Sequence, residues 1–201
     1  MRLRSLGSVI TAASRGIEIT GATNASPIVI TIGGGSAANG LHGQRSGERV
    51  AIFGVTGNTA ANGIWTLKDM EYSGHTAKLI GSVGNGSPTM TKAVITVAMD
   101  QTPFMKGHSA VALILGRSGS AAFDGVCTVR GNKTDATDDE ILASDEDDLG
   151  TYFESCIKGQ TIPTPGTTDG LYEVREVDLR RFMFFDVGTF TAGGVSAALL
   201  V

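Results

Sequence analysis

Residues 49–68 read RVAIFGVTGNTAANGIWTLK, and the fold follows from how this stretch is punctuated. Two runs of β-branched and aromatic residues, Arg49–Phe53 and Ile64–Lys68, are separated by Gly54, Gly57, Asn58, Asn62 and Gly63. Val, Ile, Phe, Trp and Thr suit a pleated, half-buried surface, whereas Gly and Asn tolerate the positive φ of tight turns. Asn62-Gly63 directly before Ile64-Trp65 predicts a tight turn into the second strand. Trp65, the only tryptophan, is expected to bury a large area in a small barrel.

The same unit recurs outward in both directions. Upstream, Ile17–Thr20 and Ile28–Ile32 are predicted strands; downstream come Thr76–Ile80, Ala93–Met99, Ala110–Leu115, Val126–Arg130, Tyr152–Ile157, Tyr172–Val177, Arg181–Val187 and Val195–Val201. Alternation is clearest in Val195, Ala197, Leu199, Val201 and in Ala93, Ile95, Val97, Met99, which place apolar groups on one face. Closely spaced strands without intervening amphipathic helices exclude βαβ units and predict an all-β chain of antiparallel barrels or sandwiches. The exception is Thr137-Asp138-Asp139-Glu140, a T-x-x-E capping box followed by Ile141-Leu142. It predicts one short helix from Asp138 to Leu149, stopped at Gly150. The segment 81–91, GSVGNGSPTMT, has no apolar run and contains Pro88, so it is read as a boundary. The expected organisation is an arm over residues 1–16 and two antiparallel β units over 17–86 and 92–201.

Composition limits the function classes. The chain has 201 residues, 41% of them hydrophobic, and a formal net charge of -4. That much apolar surface with so little charge excludes disorder. Its 28 glycines follow no triplet period, which excludes collagen. The longest apolar run, Ala110 to Leu115, falls far short of the roughly 20 residues that a membrane span requires. The two cysteines, Cys127 and Cys156, make neither a disulfide scaffold nor a four-ligand zinc site. No continuous apolar signal opens the sequence, so folding in a reducing cytosol is expected, with two buried thiols.

Several motifs invite chemistry. Gly33, Gly35 and Ala38 fit G-x-G-x-x-A after a strand, the form that aims backbone amides at a pyrophosphate. That motif requires a helix to begin there, whereas Asn39, Gly40, Gly43 and Gly47 interrupt the following residues, so a glycine-rich hairpin loop is expected instead. His42, His75 and His108 lie far apart and form no H-x-x-x-H pair. The serines have no G-x-S-x-G setting, and Cys127 sits among strand residues, the inert context for a thiol. No cofactor is expected.

Two charged segments remain. Asp135, Asp138, Asp139, Glu140, Asp145, Glu146, Asp147 and Asp148 form an acidic stretch with no basic residue between them. Its plainest role is a solvated helix face. A calcium loop would need a turn glycine that is missing here, and docking on a basic partner surface is the third role. Near the start, Arg2, Arg4 and Arg15 have no acidic neighbour before Glu18. Three arginines and a sequence pI near 5.3 do not make a nucleic-acid footprint. They suit instead an arm laid on a neighbouring subunit, and Arg2, Arg4, Arg15, Asp138, Asp139, Asp147 and Asp148 are the candidate partner contacts.

The first half also carries a resemblance. Residues 19–32 (ITGATNASPIVITI), 42–67 (HGQRSGERVAIFGVTGNTAANGIWTL) and 77–86 (AKLIGSVGNG) together resemble a small β-barrel module of structural proteins of tailed bacteriophages. That module is often likened to the first catalytic-cysteine half-domain of ubiquitin-activating enzymes. The matching positions are His42, Gly43, Gly47, Glu48 and Val50, then Gly54, Val55, Gly57, Asn58, Thr59, Ala61, Asn62, Gly63, Trp65 and Leu67. The chain departs from the pattern at Gly33–Asn39, where glycines lengthen a loop, and at Ala77-Lys78-Leu79, where the module usually has an aromatic. The module carries no catalytic residue, and the likeness implies no ubiquitin chemistry. Less specifically, the second half looks like the β-sandwich of phage virion proteins. The resemblance thus implies that the 17–86 unit is a small β-barrel and the 92–201 unit an antiparallel β-sandwich.

The resemblance implies a non-enzymatic virion structural protein. The leading expectation is a capsid decoration or cement protein, made in the host cytoplasm, bound to the major capsid protein on the head surface, and homotrimeric. Neither nucleic acid nor membrane is expected as a partner. The alternative is a tail, baseplate or fibre-associated protein that contacts a receptor or glycan, for which Tyr72, Tyr152 and Tyr172 are the aromatic candidates. An enzyme ranks third, because no convergent acids and no nucleophile–base pair stand at a meaningful spacing.

Overall fold

The structure is a computed structural model that describes residues 3–10, 14–15, 17–33, 46–71, 75–89, 93–98, 109–117, 127–144, 149–157, 170–188 and 194–200. Its strands are β1 (Leu3–Ile10), β2 (Ser14–Arg15), β3 (Ile17–Ala22), β4 (Val29–Ile32), β5 (Arg49–Phe53), β6 (Gly63–Glu71) and β7 (Thr76–Leu79). They continue with β8 (Val94–Ala98), β9 (Ser109–Arg117), β10 (Cys127–Asn132), β11 (Phe153–Ser155), β12 (Gly170–Asp178), β13 (Phe182–Val187) and β14 (Gly194–Leu200). Two short helices, α1 (Asp138–Ala143) and α2 (Leu149–Tyr152), lie between β10 and β11. The chain is all-β, as the alternation of its apolar runs predicts, and the strand pairings are antiparallel.

Six of these strands close on themselves. β3 pairs with β4, β4 with β7, β7 with β6, β6 with β5, β5 with β8, and β8 returns to β3 through Ile17↔Ile95 and Glu18↔Val94. Ile19, Ile30, Ile32, Val50, Ile52, Leu67, Ala77 and Leu79 fill this barrel and are almost completely buried. A barrel drawn at 17–86 is therefore one strand short. Without β8, strands β3 and β5 would present bare edges, and closure is what removes them.

The ring does not stand apart from the rest. β5 is buried on both faces: Val50 and Ile52 point into the barrel, while Ala51 and Phe53 point outward. The outward pair joins Val94, Ala98, Ile141, Leu149, Phe153, Phe182 and Phe184 in a second apolar core. Phe153 is at its centre, stacked at 6.1 Å on Phe53 and edge-on at 5.1 Å to Phe184. Such aromatic pairs contribute about 0.5–1.5 kcal/mol beyond their buried area. β8 also extends past β3 to pair with β13 through Ala98↔Phe182 and Val97↔Met183, so backbone bonds cross the same junction.

β13 links the layers. Phe182 and Phe184 face the junction core, and the alternate residues Met183, Phe185 and Val187 are buried on the other face together with Cys127 and Val129 of the neighbouring β10. On that side lies a four-stranded sheet of order β1-β14-β9-β12, with β1 in contact with β13 and with Val195 and Leu199 of β14 buried. The two sheets meet at one corner, where Asp178 N donates to Cys156 O and Ile157 bridges Val177.

Three expectations are corrected. Residues 3–10, expected within an arm, form strand β1 and pair with β14, and Ser14–Arg15 pair with β13. Leu3-Arg4-Ser5-Leu6-Gly7-Ser8 is too interrupted by Ser and Gly to read as a strand, and tertiary pairing overrides that weak propensity. The helix that starts at Asp138 ends at Ala143, not Leu149, because Ser144 turns extended (ψ 171) and its hydroxyl donates back to Ile141 O at 2.6 Å. Of the boundary expected at 81–91, residues 81–89 are hydrogen-bonded to the loops at the barrel end, through Ser82, Gly84, Asn85 and Thr89.

Candidate functional site

Part of the resembling stretch, Gly54 to Asn62, lies at one end of the barrel, where the loops 23–28, 54–62 and 81–89 are joined by hydrogen bonds. Gly47 and Glu48 instead bond to Leu67 at the other end of the β5–β6 pair, and His42 and Gly43 lie outside the described residues. Where the three loops join, Asn58 is completely buried. Its Nδ2 donates to Thr23 O at 3.0 Å and its Oδ1 accepts from Asn85 N at 3.0 Å, tying the three loops together. Asn85 returns the contact: its Oδ1 accepts from Ala60 N at 3.2 Å and its Nδ2 donates to Thr59 Oγ1 at 3.0 Å. Ser82, also buried, donates to Leu79 O at 2.7 Å and accepts from Ile28 N at 2.9 Å. Buried polar groups satisfied in this way rigidify a loop, whereas unpaired ones would destabilise it.

Asn62-Gly63 works differently from the tight turn its sequence predicts. Asn62 is extended (φ -69, ψ 137) after a 3-10 turn over Thr59–Ala61, and its carboxamide grips Val55 through two 2.9 Å bonds, to N and to O. The side chain thus replaces a pair of ladder bonds where the β5–β6 connection opens. Gly57, at φ +76, lies so near Ser87 that an added Cβ would sit 2.1 Å from its carbonyl oxygen, so this crossing requires glycine. Trp65 is only partly buried at the margin of the barrel core, and its Nε1 donates to Ala61 O at 2.9 Å. These motif side chains are engaged within the protein itself.

The expected contact residues are distributed over several elements. Arg2, Asp147 and Asp148 lie outside the described residues, as do His42, His108 and Tyr72. Arg4 stands in β1 opposite Leu199, and Arg15 in β2 opposite Asp186. Asp138 forms an ion pair with Arg181, whose guanidinium also lies over the Phe182 ring, while Asp139 is exposed. Glu140 completes the capping box: its carboxylate accepts from Thr137 N at 2.8 Å and from Thr137 Oγ1 at 2.7 Å. These bonds hold the Glu140 carboxyl below the usual carboxylate range. Among the described residues of the acidic stretch, the Asp138 and Glu140 carboxylates are therefore committed to neighbours. Among the described residues, no cluster of three or more His, Cys, Asp or Glu could hold a metal.

Other polar contacts had no sequence signal. Arg130 Nε donates to Asp186 Oδ2 at 2.5 Å across the β10–β13 pair, and Arg180 binds Glu154 at 3.1 Å with Asp178 at 3.9 Å. Thr128 and Ser155 hydroxyls share a hydrogen bond at 3.2 Å. Arg130 and Asp186 are 56 residues apart in the chain, so only strand pairing reveals them as partners. Cys127 and Cys156 are both free and buried. Burial pushes the Cys127 thiol up to about 12, aided by Asp186, and the Cys156 thiol up to about 11, the latter against the pull of Arg180. Neither provides a thiolate nucleophile near neutral pH.

The barrel end also displays apolar surface, with Ile80 48% and Val83 64% exposed where the chain leaves β7. No helix among the described residues is long and apolar enough to cross a membrane. Compared with protein-family models, curated proteins and solved structures, the chain matches none.

Proposed function

We propose that this chain is a non-enzymatic structural component of a tailed-phage virion, a decoration or cement protein that binds major capsid subunits on the head surface. One observation carries the reading: the polar groups of the resembling motif, above all Asn58 and Asn62, bond to the protein's own loops. A motif devoted to holding a barrel end rigid is what a scaffold module requires, whereas a reactive motif keeps its groups available to substrate. A protein of this kind acts through surface. Copies arranged by capsid symmetry, here as a homotrimer, turn weak individual contacts into firm attachment through effective concentration.

The candidate contacts are narrowed by the fold. Arg4 and Arg15 belong to sheet strands, so deleting residues 1–16 removes β1 and β2 and alters the fold along with any contact. Asp139 is exposed on α1, whereas Asp138 is paired with Arg181. The direct test is cosedimentation with purified tail-less heads, with surface labelling of intact particles by antibody. Binding to heads in multiple symmetric copies, weakened by Asp139→Lys with folding intact, is the expected result. Retention on purified tails with heads left bare would overturn the capsid assignment and place the chain with tail, baseplate or fibre proteins. Absence from both would remove the virion role altogether.

A further inference from the structure

We draw no further inference here: the strongest candidate, the exposed apolar pair Ile80 and Val83 on the hydrogen-bonded loop at the barrel end, carries nothing because no feature of the structure shows what covers it.

Discussion

The two regions that abut the barrel are built on opposite chemistry. At the loop end, three segments are joined by side-chain amides and a buried serine, with Asn58, Asn62, Asn85 and Ser82 supplying most of the bonds. At the flank, the side chains that join the barrel's outer wall to α1, α2, β11 and β13 are apolar, Phe53, Phe153, Phe182 and Phe184 among them, beside the backbone bonds of the β8–β13 pair. A net intramolecular hydrogen bond contributes about 1 kcal/mol, whereas a buried phenyl ring contributes several. The loop end therefore specifies local geometry, and the flank ties the barrel to α1, α2, β11 and β13, so cooperative unfolding of these parts is the expected outcome.

The largest effect is expected at the flank. Phe153→Ala removes the ring that touches both Phe53 and Phe184 and should destabilise the protein by about 3–5 kcal/mol. Because Trp65 is the only tryptophan and sits in the barrel, its fluorescence reports that region while far-UV circular dichroism reports the whole chain. The two probes should give coincident denaturant transitions that shift together in the variant. A Trp65 transition that stays in place while the circular dichroism midpoint falls would show that the barrel folds on its own.

At the loop end, Asn58→Ala removes a fully buried carboxamide and leaves Thr23 O and Asn85 N without their partner at a partly buried junction. A loss of about 1–3 kcal/mol is expected in the same measurement. Asn62→Ala should cost less, about 1–2 kcal/mol, since Asn62 is only partly buried. Equal stability of Asn58→Ala and wild type would mean that solvent replaces these bonds, and the contrast between the two regions would then fail.

A smaller change is expected where α1 docks on the flank. Thr137→Ala removes the N-cap and should cost about 1 kcal/mol. Glu140 sharpens this through pH. Its folded pKa is lowered, so the stability it contributes is full above the ordinary carboxylate value and is lost as pH falls through the folded value. Thr137→Ala keeps the backbone N–H bond to Glu140 and removes only the hydroxyl bond, so the gap between wild type and variant should narrow in acid by the hydroxyl's share. A gap independent of pH would show that the hydroxyl–carboxylate bond contributes nothing.

The smallest effect at neutral pH concerns the thiols. Neither cysteine should react with a thiol reagent at pH 8 in the folded protein, and both should react in guanidinium. Their folded pKa values lie above the ordinary 9.0, so neutral thiols favour the folded state below that pH. This contribution is lost as pH rises through about 11 and about 12. A Cys127→Ala, Cys156→Ala double variant should lack that part of the alkaline slope. Rapid labelling of the folded protein would contradict the burial of both side chains.

Much of the fold is legible in short windows because strand signals are local. Arg49–Phe53 shows its β character in the residue types alone, and both of its faces prove buried. The capping box Thr137–Glu140 forms as its spacing predicts, since all of its bonds fall within one turn. The end of that helix is not legible: Ser144 stops it by bonding to Ile141, and nothing in Asp145–Asp148 announces this. Asn62-Gly63 misleads for a related reason. The dipeptide signals a tight turn, yet Asn62 bonds to Val55, seven positions away, and leaves turn formation to Thr59–Ala61. Of the candidate contacts, Asp139 is exposed as expected for a surface group, while the pairing of Asp138 with Arg181 depends on β13 reaching α1.

The sequence by itself determined an all-β chain, the positions of most strands and the glycine-bearing turns, since alternation and backbone permissiveness act over a few residues. Only the tertiary structure decided which strands meet. It brought β8 across the expected boundary to close the barrel, paired β1 with β14, and placed Phe53 against Phe153. Those choices depend on contacts between residues far apart in the chain, where what selects a partner is removal of apolar area and strand edges from water.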